Sequence, residues 1–200
     1  MTNTPLSIVD LAVFILPERD NSDQKPMTLR RFQKLAYYCQ AWSLVWDEVP
    51  LFKEDIVACP HRGPIVPALQ EYAVSRFAKV RTMKEGVYQA FDTDMDLCFD
   101  GLSNRPEKLK KYQEKTVLSV LNEYGRSDVD SLEDLSKQEG PFKKAIAQGG
   151  NQKPLITLES LERYYSALEK VRHRMRHSSS LNRDYKCSYF ILDFPAWDGP

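Results

Sequence analysis

The 200 residues of this chain are 42% hydrophobic and carry 28 basic side chains against 28 acidic ones. That length and apolar content predict one globular domain with an appendage, since two full domains would be cramped. A net charge of zero argues against a general binder of nucleic acids or anionic membranes, and no apolar run approaches the roughly 18 residues of a membrane span.

The N-terminal part predicts two helices. An amphipathic helix lies between Pro5 and Pro17, and a polar loop then leads to the much more apolar stretch from Thr28 to Trp46. Thr28 is the expected N-cap of the second helix. Apolar side chains recur along this helix at helical spacing and also cover its flanks, so we expect it to be buried on most of its faces; they include Phe32, Leu35, Ala36, Cys39, Trp42 and Trp46.

A segment rich in proline and glycine follows the central helix. Residues 53–58 favour one or two helical turns, and C-P-H-R-G-P-I-V-P at 59–67 predicts a rigid connector in which Gly63 and Pro64 make a turn. Pro67 then opens a helix that runs to about Lys79. The pattern next changes to V-Y-Q-A-F at 87–91 and L-C-F at 97–99, which predicts a small β-hairpin.

The second half of the chain predicts four more helices. One opens at Pro106 and stops at Gly125, two short ones occupy 131–137 and 141–148, and a long one begins after Thr157 as its N-cap and carries an apolar stripe as far as Met175. The predicted fold class is therefore mainly α, a compact helical domain around a buried central helix, with a small β-hairpin and a C-terminal extension.

We divide the chain into a helical domain at 1–177 and an extension at 178–200. The extension is rich in aromatic residues although it follows the last predicted helix. It either folds back as a strand or binds a partner. Its candidate partner-binding residues are Tyr185, Tyr189, Phe190 and Trp197.

We find no convincing catalytic or cofactor pattern. Cys59 and His61 are too close in sequence to form an oriented nucleophile and base, and there is neither a G-x-G-x-x-G motif nor a P-loop. The acidic run at 92–96 has a leucine where a calcium loop needs glycine. The four cysteines lie far apart without a C-x-x-C pair, which favours reduced thiols. We therefore expect a cytoplasmic protein that is not an enzyme and has no cofactor or metal.

Several segments together resemble the Panacea domain, also called SocA-like. They are M-T-L-R-R-F-Q-K-L-A-Y-Y-C-Q-A-W at 27–42, P-L-F-K-E-D-I-V-A at 50–58, R-G-P-I-V-P at 62–67, L-S-K-Q-E-G-P-F-K-K-A at 135–145 and I-T-L-E-S-L-E-R-Y-Y at 156–165. The resemblance covers roughly residues 5 to 170. Two departures occur: Lys137-Gln138 stand where the family has a histidine, and Phe142 replaces the usual tryptophan.

The resemblance implies a mostly helical antitoxin of bacterial or phage toxin–antitoxin pairs, including those of phage defence. Such a protein neutralises a neighbouring toxin, for example an alarmone-synthetase-like enzyme, by direct contact. We therefore predict that this chain binds a cognate toxin and occludes its active site. Two alternatives stay open: an adaptor that delivers its toxin to a AAA+ protease, and a nucleic-acid-binding regulator that uses the basic run at 170–183.

The motif residues divide into structural and partner-binding candidates. The expected structural residues, which build the core or the turns, are Thr28, Leu35, Trp42, Gly63, Pro64 and Phe142. Polar or amphipathic residues beside the core are the expected contact surface, because Tyr and Arg are enriched at interface hot spots. They are Arg31, Lys34, Tyr37, Gln40 and Arg62. Arg62 could equally tie down a buried carbonyl or carboxylate within the domain.

Overall fold

Seven helices and one small antiparallel sheet make up the described part of the chain. A computed structural model describes residues 5–18, 27–77, 109–150 and 153–178. Their elements in chain order are α1 (Ile8–Glu18), α2 (Leu29–Trp46), β1 (Ile56–Cys59), β2 (Gly63–Ile65), α3 (Pro67–Phe77), α4 (Lys111–Tyr124), α5 (Val129–Gln138), α6 (Gly140–Gly149), β3 (Leu155–Ile156) and α7 (Leu158–Ser178). The mainly α prediction is confirmed.

Helix α2 is the central element. Every residue from Arg31 to Leu44 is buried, and the helix packs against α1, α3, α4, α5, α7 and β2. Thr28 caps it as predicted, since the Thr28 hydroxyl accepts a hydrogen bond from the backbone N of Arg31 at 3.2 Å. The predicted core residues Leu35 and Trp42 have no exposed surface. The expectation of a buried central helix is confirmed.

The last turn of α2 differs from the prediction. Trp46, expected in the core, is 37% exposed. Burial along the helix ends at Leu44, and the chain leaves for the surface through Asp47 and Glu48. The Trp46 ring instead stacks on Trp42, with the two ring centroids 4.5 Å apart. Helical spacing correctly placed Trp46 on the same face of α2 as Trp42, but the rest of the domain buries that face only as far as Trp42.

The sheet lies in a segment where helical turns were expected. Residues 56–59 form the strand β1, so the prediction of a helix at 53–58 is wrong. The sheet order is β2-β1-β3, with Val57 paired to Ile65 and Ile56 paired to Ile156. A short apolar run does not by itself distinguish strand from helix, and here pairing with β3, far along the chain, decides.

The β1–β2 turn consists of residues 60–62, so Gly63 and Pro64, which were predicted to make a turn, instead begin the strand β2. Their pairing with Cys59 and Ala58 of β1 decides this. Gly63 has a φ of +68°, a left-handed conformation that favours glycine. Pro64 lies in β2 at an edge of the sheet, where the missing N–H of proline is tolerated. The hairpin predicted at 87–99 lies outside the described residues.

The remaining helices follow the prediction with shifted ends. Gly125 ends α4 through a backbone hydrogen bond to Leu121, but the helix begins at Lys111, later than Pro106, because Lys110 has extended backbone. Helix α5 begins at Val129 rather than Ser131, because Asp128 caps it. Thr157 caps α7 by accepting a hydrogen bond from Ser160 N at 3.2 Å.

Within the described ranges, no helix is both long and apolar enough to cross a bilayer. The extension at 178–200 lies outside the described residues except for Ser178, the last residue of α7. The division of the chain at residue 177 stays a prediction.

Candidate functional site

The polar side chains of α2 lie inside the domain and hold the backbone of neighbouring segments. Gln40 is the clearest example. Its Oε1 accepts hydrogen bonds from the backbone N of Leu51 and Phe52 at 2.9 and 3.0 Å, and its Nε2 donates to the carbonyl oxygen of Phe52 at 3.2 Å. These backbone groups are buried and need partners. Gln40 therefore fixes the segment that leads into β1.

Gln33 and Lys34 hold the strand β2 in the same way. Gln33 exchanges two hydrogen bonds with the backbone of Val66, at 2.6 and 3.3 Å. The Lys34 ammonium donates to the carbonyl oxygen of Pro64 at 2.9 Å and to that of Arg62. Burial lowers the pKa of Lys34 to about 8, although the charge of Glu133 opposes that shift.

Arg31 holds the turn between α4 and α5. Its guanidinium donates to the carbonyl oxygen of Ser127 at 2.8 Å and to that of Gly125. These two carbonyls follow the end of α4, where helical backbone acceptors lack intrahelical partners. Arg31 therefore closes the C-terminal end of that helix from across the core.

This burial corrects the expected position of the contact surface. Arg31 and Lys34 are 3% and 1% exposed, and Tyr37 and Gln40 have no exposed surface. The sequence placed them at the surface because they are polar, whereas the fold uses them to satisfy backbone groups and, for Tyr37, a buried carboxyl group. Arg62 is half-buried. A role for any of these five residues in partner binding stays a prediction.

Charged side chains gather around the β1–β2 turn. We call this group, Arg30, Lys34, Glu133 and Lys137, the hairpin cluster. The Glu133 carboxylate forms ion pairs with the Arg30 guanidinium at 2.9 Å and with the Lys137 ammonium at 2.6 Å. Burial acts to raise the pKa of Glu133, but the hydrogen bonds from Lys137 and Arg30 outweigh it, so the pKa lies below its ordinary value. The cluster ties α2 to α5.

At one of the two departures from the resembling motif, Lys137 makes contacts within the domain. Where the family carries a histidine, this chain has Lys137-Gln138. Besides its ion pair with Glu133, Lys137 donates to the carbonyl oxygen of His61 at 3.3 Å. It therefore links α5 to the β1–β2 turn. The other departure is conservative, because Phe142 is 6% exposed and belongs to the core as expected.

A buried carboxyl group that the sequence pattern did not predict lies where α2, α6 and α7 meet. Glu139 is 6% exposed, and its Oε2 accepts hydrogen bonds from the hydroxyls of Tyr37 at 2.6 Å and Tyr165 at 2.8 Å. Burial raises its pKa to about 8, while these tyrosine hydrogen bonds act in the opposite direction. No local pattern marks this residue, because Tyr37 is 102 positions away in the chain.

Part of the basic run on α7 is already engaged within the domain. Arg172 forms an ion pair with Glu123 and lies over the ring of Trp42, 5.0 Å from its centroid. Trp42 in turn donates from Nε1 to the hydroxyl of Tyr124 at 3.1 Å. Arg172 therefore helps to attach α7 to α2 and α4.

The outer surface carries several large apolar side chains that are at least one-third exposed. Besides Trp46 they are Tyr112, Leu118, Ile146, Leu155, Leu158 and Met175. Tyr112 and Leu118 lie on α4, and Ile146, Leu155 and Leu158 lie where α6 meets β3 and the start of α7. None of these residues was predicted to belong to a contact surface. The predicted contact residues Tyr185, Tyr189, Phe190 and Trp197 lie outside the described residues.

In the described ranges, no three His, Cys, Asp or Glu side chains are grouped in a way that could hold a metal ion. Lys34 and Glu139, whose pKa values are shifted by burial, are enclosed by protein. The arrangement therefore favours structural cohesion over substrate access.

Comparison with known families identifies the chain. Residues 32–143 match the family described as antitoxin SocA-like, Panacea domain. The match begins in α2 and ends in α6. It therefore includes Lys34, Glu133 and Lys137 of the hairpin cluster but not Arg30, and the resembling segment at 156–165 also lies beyond it. Comparison with curated proteins and with solved structures gave no match. Because the match covers more than half of the chain, this protein belongs to the antitoxin SocA-like, Panacea domain family.

Proposed function

We propose that this chain is an antitoxin that binds a cognate toxin enzyme directly and occludes its active site. The observation that carries the proposal is the family match over residues 32–143. We also propose that the chain is cytoplasmic, because a toxin such as an alarmone-synthetase-like enzyme would act on a cytoplasmic target.

The interior contacts support a binding role. Gln40, Gln33 and Lys34 hold two separate segments by side-chain hydrogen bonds to backbone, and Arg31 holds a third. A surface that is rigid before binding loses less conformational entropy in the complex. Such a domain is suited to present a preformed face to another protein.

A non-enzymatic role agrees with the placement of the reactive groups. Lys34 and Glu139 have shifted pKa values of the kind found in active sites. Their side chains are nevertheless buried, and each is hydrogen-bonded to the domain itself. A substrate would have to displace those contacts to reach them. We therefore assign both groups to the architecture of the domain.

The nucleic-acid alternative is weakened by Arg172. This member of the basic run is committed to Glu123 and Trp42, so contacting a phosphate would cost those interactions. Nucleic-acid binding would also fall steeply with salt. The adaptor alternative makes a different prediction, since its effect depends on a protease.

Co-expression with the protein encoded beside this chain tests the proposal. We expect growth to be rescued equally in a host that has its AAA+ proteases and in one that lacks them, and the two proteins to co-purify. Rescue only in the host with proteases would replace occlusion by the adaptor mechanism. A toxic neighbour that this chain neither binds nor neutralises would contradict the antitoxin role.

A further inference from the structure

Three exposed apolar side chains gather at one corner of the domain. Ile146, Leu155 and Leu158 are 37%, 44% and 42% exposed. The helix α6 packs against β3 and α7, and a Cβ added to Gly149 would lie 2.8 Å from Pro154 Cβ. Ile146 is about one helical turn before Gly149, and Leu155 directly follows Pro154. We call this surface the α6–β3 corner.

The corner is also basic. Residues 140–158 include Lys143, Lys144 and Lys153 but no aspartate or glutamate, although the whole chain has zero net charge. Lys143 is three residues before Ile146 in α6, so the two side chains are neighbours on the helix surface. All three lysines are exposed, and none forms an ion pair with a residue of the described ranges.

The described acidic groups beside the corner form no ion pair with these lysines. Glu159, at the start of α7, pairs instead with Arg163 at 2.8 Å. Two other exposed acids border the corner: Glu162, one helical turn after Leu158, and Asp55, which directly precedes the pairing of Ile56 with Ile156. By contrast, Lys137 at the hairpin cluster is neutralised by Glu133 at 2.6 Å. The corner therefore combines apolar surface with three exposed lysines that form no ion pair within the described ranges.

The outer face of α4 is the competing surface, and it fits less well. Leu118 is 43% exposed and lies near Lys111 and Lys115. However, Glu114 belongs to the same face, and Lys110 lies over the ring of Tyr112 at 5.8 Å. This face also has two large exposed apolar side chains, Tyr112 and Leu118, against three at the corner, which makes it less suited to an apolar partner.

From this juxtaposition we infer that the α6–β3 corner binds an acidic segment of the toxin that carries apolar side chains. The inference rests on the proposed function, because it names the surface by which that function is performed. The apolar side chains of the segment would cover Ile146, Leu155 and Leu158, and its carboxylates would meet the three lysines. Opposite charges across an interface increase the association rate and exclude partners of the wrong sign.

Isothermal titration of this chain with a catalytically inactive form of the neighbouring protein tests the inference. Ile146→Asp and the pair Lys143→Glu with Lys144→Glu should each weaken binding at least tenfold. The matched controls on α4, Leu118→Asp and the pair Lys111→Glu with Lys115→Glu, should keep wild-type affinity. Circular dichroism and thermal unfolding select variants that keep the wild-type fold.

The outcomes separate the two proposals. If the wild type and the α6 variants bind alike, the corner is not the docking surface, while the antitoxin role stands. Loss of binding through the α4 variants alone also contradicts the inference. A wild type that neither binds nor neutralises the neighbour overturns the antitoxin role, and the inference with it. Sedimentation of the free chain tests whether a second copy of the chain binds the corner instead. If the free chain is a dimer and Ile146→Asp dissociates it, the corner is an interface between copies and the inference is overturned.

Discussion

At Gly63 two constraints act on one residue. Its φ is +68°, and an added Cβ would lie 3.1 Å from Ser136 Oγ and 3.2 Å from Lys34 Nζ. The first constraint disfavours any L side chain, and the second would push the Lys34 ammonium from the carbonyl groups that it holds. The family motif R-G-P at this turn therefore has a physical reason in both backbone and packing.

We expect Gly63→Ala to lower the free energy of unfolding by about 1–3 kcal/mol through backbone strain, with a further loss from the crowded contacts. Urea unfolding monitored by tryptophan fluorescence measures the change. Gly150→Ala is the control, because Gly150 also has positive φ, +47°, but no described atom lies within 4 Å of its added Cβ. A Gly63→Ala variant that unfolds at the wild-type urea concentration would contradict both the strain and the crowding.

Glu139 predicts a pH dependence of stability. Its pKa is raised by burial from an ordinary value of 4.5 to about 8. An acid with a raised folded pKa binds its proton more tightly in the native state, so its stabilising contribution is complete below pH 4.5 and is lost as the pH rises towards 8. The slope can approach about 1.4 kcal/mol per pH unit within that window.

Glu139→Gln should flatten this dependence, because the amide is neutral throughout and its oxygen can still accept from Tyr37 and Tyr165. Urea midpoints at several pH values from 5 to 8 measure it. The exposed Glu162→Gln is the matched control and should keep the wild-type profile. If the stability of Glu139→Gln falls with rising pH as steeply as that of the wild type, the Glu139 carboxyl group is not the cause of the pH dependence.

At the scale of elements, α2 stabilises its surroundings by side-chain hydrogen bonds to segments that lack regular pairing. Gln40 accepts from the amides of Leu51 and Phe52, and Gln33 accepts from the amide of Val66. The two glutamines lie in one helix but hold different segments. Their effects can therefore be separated experimentally.

Gln40→Met should increase amide hydrogen exchange at Leu51 and Phe52 about tenfold, since losing a buried partner costs on the order of 1–3 kcal/mol. Gln33→Met should do the same at Val66. Nuclear magnetic resonance of both variants measures exchange at each amide, and each variant serves as the control for the other. A uniform increase across the domain in either variant would instead indicate global destabilisation.

The sheet shows why element type was harder to predict than element position. The segment at 53–58 is short, and its apolar residues fit a helical turn as well as a strand. The pairing of Ile56 with Ile156 joins residues that are far apart in the chain. By contrast, α2 and α4 carry apolar periodicity over several turns, and their helical character was predicted correctly.

At the scale of the whole molecule, the described residues complete a core without the C-terminal extension. The core residues Leu161 and Tyr165 lie in the first half of α7 and have no exposed surface. Further along α7, Lys170, His173 and Arg174 are exposed, and Val171 and Arg172 are half-buried. The domain should therefore fold without the residues that follow.

Deletion of residues 178–200 should leave a cooperative thermal transition but weaken neutralisation of the neighbouring protein. The reason is that the aromatic side chains of the extension are predicted to contact the partner. Growth rescue by the shortened chain, compared with the full chain at equal expression, measures the effect. Full rescue by the shortened chain would remove the extension from the mechanism.

The sequence alone determined the family, the central helix and the caps at Thr28 and Thr157. Each depends on residues close together in the chain: the T-L-R-R-F-Q-K-L motif, the helical periodicity and the cap residues themselves. Tertiary structure alone decided the roles of the polar residues. Tyr37 reaches Glu139 across 102 positions, and Arg31 reaches Gly125 across 94. Local patterns show that a side chain is polar, but whether it faces solvent or a buried backbone group depends on distant segments that only the fold brings together.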